Sequence, residues 1–129
     1  MPELPEVQTV VDHIRKDLLE EEIIHIDPVW PKVLHNFNPE DLIQTHINTR
    51  ILDVKRRAKF IIIQLPDHLI AIHLRMTGKL HLLQGNELPK HVTALIRMKS
   101  GKTLVFNDVR KFGRLYLYET MGAIDSCHG

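Results

Sequence analysis

Cysteine, charge of one sign and long apolar runs are all scarce in this sequence. The 129 residues include one cysteine, Cys127, so no disulfide can close within the chain and no zinc site can be built on cysteine. A reducing, cytosolic setting is the default that follows. Lys and Arg number 17 against 16 Asp and Glu, and a net charge of +1 does not announce a nucleic-acid partner. The longest apolar runs, such as Phe60 to Ile63, are far too short to cross a bilayer, and the N-terminus lacks the basic and apolar regions of a signal peptide. No repeat, low-complexity stretch or linker interrupts the chain. What is present suits one domain with a real core: 43% of the residues are hydrophobic and 26% charged.

Val7, Val10, Val11, Ile14 and Leu18 share one helical face, with Asp12, Arg15, Lys16 and Glu20 mostly opposite. This predicts an amphipathic helix over Glu6 to Leu18, with Pro5 near its start, where a missing N–H costs little. Ile23 to Ile26 reads as a strand, and Asn38-Pro39-Glu40-Asp41 as the cap and first turn of a second short helix. Short β-type runs follow at Arg50–Val54, Phe60–Leu65, Leu69–Leu74, Leu80–Leu83, Ala94–Met98, Thr103–Phe106 and Leu115–Tyr118. Pro66-Asp67, Gly78, Gly85-Asn86, Ser100-Gly101 and Gly113 punctuate them, and Lys99-Ser100-Gly101-Lys102 is a hairpin signal. The expected fold class is α+β, mainly β: an antiparallel β-sandwich flanked by the N-terminal helix and the second short helix. From Met121 to Gly129 no periodicity is visible, and that tail is expected to fray.

Although total charge is balanced, the cations cluster. Lys55-Arg56-Arg57 with Lys59, Arg75 with Lys79, and Arg110-Lys111 with Arg114 all fall at expected strand ends or turns. Loops of that kind can converge on a phosphate backbone, or can be three separate solvated patches. Acids concentrate elsewhere, in Asp17 to Glu22 and Glu40-Asp41, which favours a basic face. None of the nine histidines has metal-ligand spacing with a cysteine or acid, and His73 reads as a partly buried sheet residue. At the opposite extreme of the chain, removal of Met1 would expose the secondary amine of Pro2. An α-amine titrates near about 7.7–8.0, so a useful fraction is neutral and nucleophilic at physiological pH. A secondary amine attacking a sugar C1′ gives an iminium with no N–H to lose, which stays cationic and acts as an electron sink. Glu3, next in sequence, can donate or shuttle protons to the opening ring. Met-Pro starts are also ordinary, and the stretch alone decides nothing.

Four motifs in order change the weight of that stretch: "PELPEV" at Pro2–Val7, "KRRAKF" at Lys55–Phe60, "HLRMTGKL" at His73–Leu80 and "DVRKFG" at Asp108–Gly113. Together they resemble the N-terminal domain of bacterial formamidopyrimidine-DNA glycosylases, from the first residue to about Glu119. The "PELPEV" start and the Met/Arg/Phe set resemble this branch rather than that of endonuclease VIII. The resemblance implies base-excision repair: removal of oxidised purines such as 8-oxoguanine and formamidopyrimidines, then nicking of the DNA by β,δ-elimination. It implies Pro2 as the Schiff-base nucleophile, Glu3 as the acid that assists base loss and ring opening, and Lys59 as a catalytic lysine that also contacts phosphate. Glu6 resembles a second acid that supports the site. Met76, Arg110 and Phe112 resemble the three residues that fill the gap left by an extruded nucleotide, and His91 a backbone-phosphate contact.

The implied partner is double-stranded DNA carrying an oxidised purine, met by a monomer in the bacterial cytoplasm, at the nucleoid, with no membrane involved. Residues 1–120 are expected to form the catalytic domain, and 121–129 a tail, the start of a linker or a truncation scar. The family's helix–two-turn–helix and four-cysteine zinc finger have no counterpart in this sequence, so no cofactor or metal is expected in this chain. A competing expectation is a catalytically silent, weak DNA-binding domain.

Overall fold

Apolar residues at helical spacing set the first element. The chain from Leu4 to Leu18 forms α1, with Val7, Val11, Ile14 and Leu18 buried and Val10 packed at the margin. The computed structural model describes residues 4–43, 48–83 and 88–128. After α1 come β1 (Ile23–Asp27), a 3₁₀ turn at Pro31–Val33 and α2 (Pro39–Ile43). At the start of α2 the Asp41 Oδ2 accepts the Asn38 backbone N–H at 2.8 Å, the return half of a capping box.

The remaining strands are β2 (Asp53–Arg57), β3 (Phe60–Gln64), β4 (Leu69–His73), β5 (Gly78–Leu83), β6 (Val92–Met98), β7 (Thr103–Asp108) and β8 (Arg114–Tyr118). They form two four-stranded antiparallel sheets, in the orders β1-β6-β7-β5 and β2-β3-β4-β8. β2 begins three residues later than the sequence suggests, pairing Asp53 with Gln64 and Arg57 with Phe60. Lys55, Arg56 and Arg57 therefore lie in a strand rather than a turn, where an edge position leaves their side chains room to reach solvent.

Between the sheets lies the main core, with Ile61, Ile63, Ile70, Ile72 and Leu115 from one sheet meeting Ile26, Ala94, Ile96, Leu104 and Phe106 from the other. α1 packs against β2 and touches β3 and β5, covering the side where the two sheets part. A smaller cluster holds Phe60, Ile62, Leu69, Ala71 and Tyr116 on the outer face of β3, β4 and β8.

What covers that outer face corrects the expectation of a fraying tail. Met121–His128 is a helix, α3, with Ile124 2% exposed in the outer cluster and Met121 beside it. Asp125 makes two bonds to the Arg57 guanidinium, at 2.6 and 3.2 Å. Among the described side chains, Ile124 with Met121 beside it and the Asp125–Arg57 ion pair hold the helix, too few for its period to be visible in sequence. Among the described residues no helix is long and apolar enough to cross a membrane.

Candidate nucleic-acid interface

Two loops at one end of the sandwich carry the "HLRMTGKL" and "DVRKFG" motifs. The first joins β4 to β5, and within it the Gly78 N–H donates to the Leu74 carbonyl at 3.0 Å. Arg75 stands at φ 57°, its N–H donating to Nδ1 of His73 at 3.0 Å. The His73 ring meets Phe60 edge-on at 5.0 Å, so this histidine is the partly buried sheet residue its sequence context suggests. The tight path lifts Met76 out of the sheet, 51% exposed.

The second loop joins β7 to β8 and turns on Asp108, which is 0% exposed. Oδ1 accepts the Thr77 hydroxyl and the Arg110 N–H, the latter at 3.2 Å, while Oδ2 accepts the Gly113 N–H at 2.7 Å. An aspartate bonding the N–H two residues on is a turn former, and here the same carboxylate reaches across to the neighbouring loop. Phe112 leaves this loop 48% exposed, and Arg110 is exposed beside it.

Glycine in both loops answers a demand for space. A Cβ on Gly113 would stand 2.3 Å from Phe106 Cζ, and one on Gly78 2.7 Å from Phe106 Cε1. The two backbones thus close on one buried ring. Positive φ is carried instead by residues with side chains: Ala58 at 52°, Arg75 at 57°, His91 at 64° and Lys111 at 58°, each in a loop at this end. A left-handed residue other than glycine costs roughly 1–2 kcal/mol, a strain characteristic of functional sites.

Met76 forms a ridge between two hollows. One, of about 410 Å³, is lined by Glu6, Val10, Met76, Thr77 and His81, and so brings the first turn of α1 to the loop. The other, of about 610 Å³, is lined by His35, Arg75, Met76, Phe112 and Arg114. Lys59 is exposed in the β2–β3 turn at the same end, a turn tied to α1 by Arg56, which donates to Gln8 Oε1 at 3.3 Å and to the Ala58 carbonyl at 2.9 Å. His91 lines neither hollow. It is joined to the site through its backbone, its carbonyl accepting the Asp108 N–H at 2.9 Å.

Pro2 and Glu3 lie outside the described residues; α1 begins immediately after them. The acids of Glu20 to Glu22 gather at the far end of α1, as the segregation of charge in the sequence suggests.

Three basic clusters are not three sets of bare cations. Arg57 is held by Asp125: hydrogen bonding and the negative charge of Asp125 raise its pKa, and the hydrogen bond from Arg57 holds the Asp125 carboxyl below its ordinary range. Arg114 donates to the Lys111 and Gly113 carbonyls at 2.7 and 2.8 Å and lies 5.0 Å from the Trp30 ring centre, with Lys111 Nζ at 5.8 Å from the same ring. Such contacts hold the cations in place without cancelling their charge. Sequence reasoning passed over Trp30, Thr77 and the structural role of Asp108. For Asp108, the available signal was an acid opening a turn with glycine five residues later.

Residues 1–115 match the family pattern described as the formamidopyrimidine-DNA glycosylase N-terminal domain. The chain belongs to that family. It is 35% identical over 133 aligned residues to the formamidopyrimidine-DNA glycosylase of Ureaplasma parvum serovar 3, covering 98% of this chain and 47% of that protein. Against the enzyme of that name from an Exiguobacterium species, identity is 39% over 118 residues, covering 91% and 43%. The fold matches Lactococcus lactis Fpg in complex with abasic-site DNA, at a TM-score of 0.86 and 30% identity over 98% of this chain and 47% of that one. The same protein in complex with DNA containing FAPY-dG matches at 0.85 and 30%, over 97% and 47%. The chain thus spans about half the length of the curated relatives it matches. The family's four-cysteine zinc finger does not fit a sequence with a single cysteine, and no step below involves zinc.

Proposed function

We infer that this chain is the catalytic N-terminal part of a base-excision DNA glycosylase with abasic-site lyase activity, acting on oxidised purines in duplex DNA. The supporting observation is the ridge of Met76: an exposed apolar side chain on a tight loop, with the Glu6 end of α1 on one side and Phe112 on the other. Extruding a nucleotide costs a few kcal/mol of stacking, and an apolar wedge beside an aromatic ring recovers part of that loss. Arg110, on the same arm as Phe112, can offer hydrogen bonds to the orphaned base. Lys59, Arg75 and His91 are exposed at the same end, where phosphates would pass.

In this reading the Pro2 amine attacks C1′ of the damaged nucleotide. The glycosidic bond breaks, the base leaves with the bonding pair and takes up a proton, and the sugar ring opens as O4′ is protonated through Glu3. The resulting iminium draws electrons from C2′ once a proton is removed there, and the C3′–O bond breaks with its pair going to the phosphate. A second elimination releases the 5′ phosphate, and water frees the proline. Lys59 assists from the β2–β3 turn, and Glu6 supports the proton relay from the first turn of α1. Retention of Met1 would make the Pro2 nitrogen a tertiary amide and stop the sequence at its first step. A place in the bacterial cytoplasm, at the nucleoid, belongs to the same proposal.

For the 129 residues taken alone, a second reading has support in the matched span, 43–47% of each of the two relatives' length: duplex binding that is weak, salt-sensitive and without turnover. Borohydride trapping on an 8-oxoguanine duplex, preceded by intact mass to establish loss of Met1, separates the two. A covalent adduct that disappears when Met1 is retained supports catalysis through Pro2. No adduct from chain that has lost Met1 favours the binding reading.

A further inference from the structure

A fully buried carboxylate two residues from an exposed loop tip requires a reason, because burial of a charge is costly unless its lone pairs are met. Asp108 meets them from two loops at once. Its Oδ1 accepts the Thr77 hydroxyl from the β4–β5 loop and the Arg110 N–H at 3.2 Å, and its Oδ2 accepts the Gly113 N–H at 2.7 Å. The Thr77 oxygen also receives the Arg110 N–H at 3.3 Å, so the hydroxyl is shared between side chain and backbone. Through its main chain Asp108 donates to the His91 carbonyl at 2.9 Å and accepts from the Lys111 N–H at 3.3 Å. Nearby, Asn107 donates its side-chain amide to the Lys90 carbonyl. One residue therefore joins the segments that carry Met76, His91, and Arg110 with Phe112.

We propose that Asp108, acting with Thr77, is a positioning residue that fixes Met76 relative to the Arg110–Phe112 arm, so that the two loops meet DNA as one preformed insert. The proposal rests on the reading of this end as the DNA interface. Conformational freedom already lost in the free protein need not be lost again on binding, which is the advantage of a clamp over two independently mobile loops. Beneath the clamp the Phe106 ring fills the space left by Gly78 and Gly113, so neither loop can settle inward. An acid this close to a phosphate-binding face would repel DNA if exposed. Buried and three times bonded, its charge is directed to the loops instead. Asparagine cannot replace it cleanly, since its Nδ2 would face the donors Arg110 N–H and Thr77 or Gly113 N–H.

Thr77→Val keeps the side-chain shape and removes the shared hydroxyl, whereas Thr77→Ser restores the hydroxyl. In the free chain, amide hydrogen exchange at Arg110 and Gly113 should accelerate about tenfold in the valine variant and return in the serine variant, with Ile62 and Ile63 of β3 unchanged. Asp108→Asn supplies a second perturbation, read as an upfield move of the Gly113 amide proton. With DNA, affinity for a duplex bearing a tetrahydrofuran abasic analogue, which has a gap to fill and no base to hold, should fall about tenfold in Thr77→Val alone. Affinity for the matched undamaged duplex should not change. Unaltered exchange in Thr77→Val overturns the clamp whatever the DNA data. Accelerated exchange with equal losses on both duplexes overturns the positioning role. Failure of the unsubstituted chain to bind either duplex overturns the DNA reading and this role with it, and the exchange data then distinguish that failure from a missing clamp.

Discussion

The two chain reversals that flank β7 use glycine and strain in opposite ways, although the far end also holds one left-handed side chain, Glu20 at φ 70°. Beyond Thr103, the hairpin to β6 places its positive φ on Gly101, at 100°, and a Cβ there would meet nothing within 4 Å. Around it the contacts are exposed ion pairs and polar bonds: Arg50 to Glu20 at 2.8 Å, Lys99 to Glu22 at 3.9 Å, and Ser100 to Glu21. Beyond Asp108, glycine relieves crowding, while Arg75, His91 and Lys111 hold left-handed conformations with their side chains intact. A turn that only reverses the chain can surrender its side chain to glycine. A turn that must present a cation cannot, and the strain is held by a buried carboxylate and a packed ring.

The largest expected break in that contrast is at Gly113. Gly113→Ala drives a methyl into Phe106 and should destabilise the fold by about 3 kcal/mol, partly recovered by Phe106→Leu in the double variant. Gly101→Ala has no clash to relieve and should cost about 1 kcal/mol from backbone strain alone. Denaturant titration of these three variants, of Phe106→Leu alone and of the unsubstituted chain measures both values and the coupling.

Next in size is the polar contrast. Asp108→Ala leaves the Arg110 and Gly113 N–H groups without the carboxylate that meets them and should cost about 2–3 kcal/mol. Glu22→Ala at the far end removes an exposed 3.9 Å pair and should change stability by less than about 0.5 kcal/mol. Similar losses from both, in the same titration, would erase the distinction between the ends.

How much of this was legible in sequence differs by region. Val7, Val11, Ile14 and Leu18 showed α1 because one periodic face meets one core, and Asn38 to Asp41 showed α2 because a cap is local chemistry. Eight strands and their sandwich followed from short β-type runs and the turn residues between them. The apolar run Phe60 to Ile63 carried an unused clue: alternate members face opposite sides, and all four are buried because α3 covers the outer one. α3 itself was missed because Ile124 is its one buried anchor among the residues whose side chains are described. The candidate site was legible as motifs: Met76 and Phe112 line one hollow, and Arg110 is exposed on the same loop as Phe112. The clamp was not, since the bond from Thr77 to Asp108 spans 31 positions and no local pattern encodes it. Pro2 and Glu3 lie outside the described residues, and their roles stand as proposals.

A smaller effect should appear where strain is released. Arg75→Gly relieves a left-handed arginine at φ 57° and should stabilise the fold by up to about 1 kcal/mol. The same change should weaken duplex binding and reduce the slope of log affinity against log salt by about 0.9, the loss of one phosphate contact. A stabilised variant with unchanged salt dependence would mean that Arg75 holds its strain for no DNA contact.

The smallest is the pH response of α3. Asp125 titrates below its ordinary range beside Arg57, so its contribution is fully present above the unfolded carboxylate range and is lost as pH falls through the folded value. Asp125→Asn should therefore lower the melting temperature slightly at neutral pH and leave it unchanged in strong acid. Both groups are exposed, which keeps the effect small.

The most direct test of the account is an amide NMR titration of the chain with a duplex carrying the abasic analogue. Shifts confined to the start of the chain through the first turn of α1, the β2–β3 turn, residues 74–78, residues 90–92 and residues 108–114, with Glu20 to Glu22 and Lys99 to Lys102 unmoved, are the predicted result. Shifts centred on the far hairpin, or none at DNA concentrations well above those at which the relevant basic loops should bind, would contradict it.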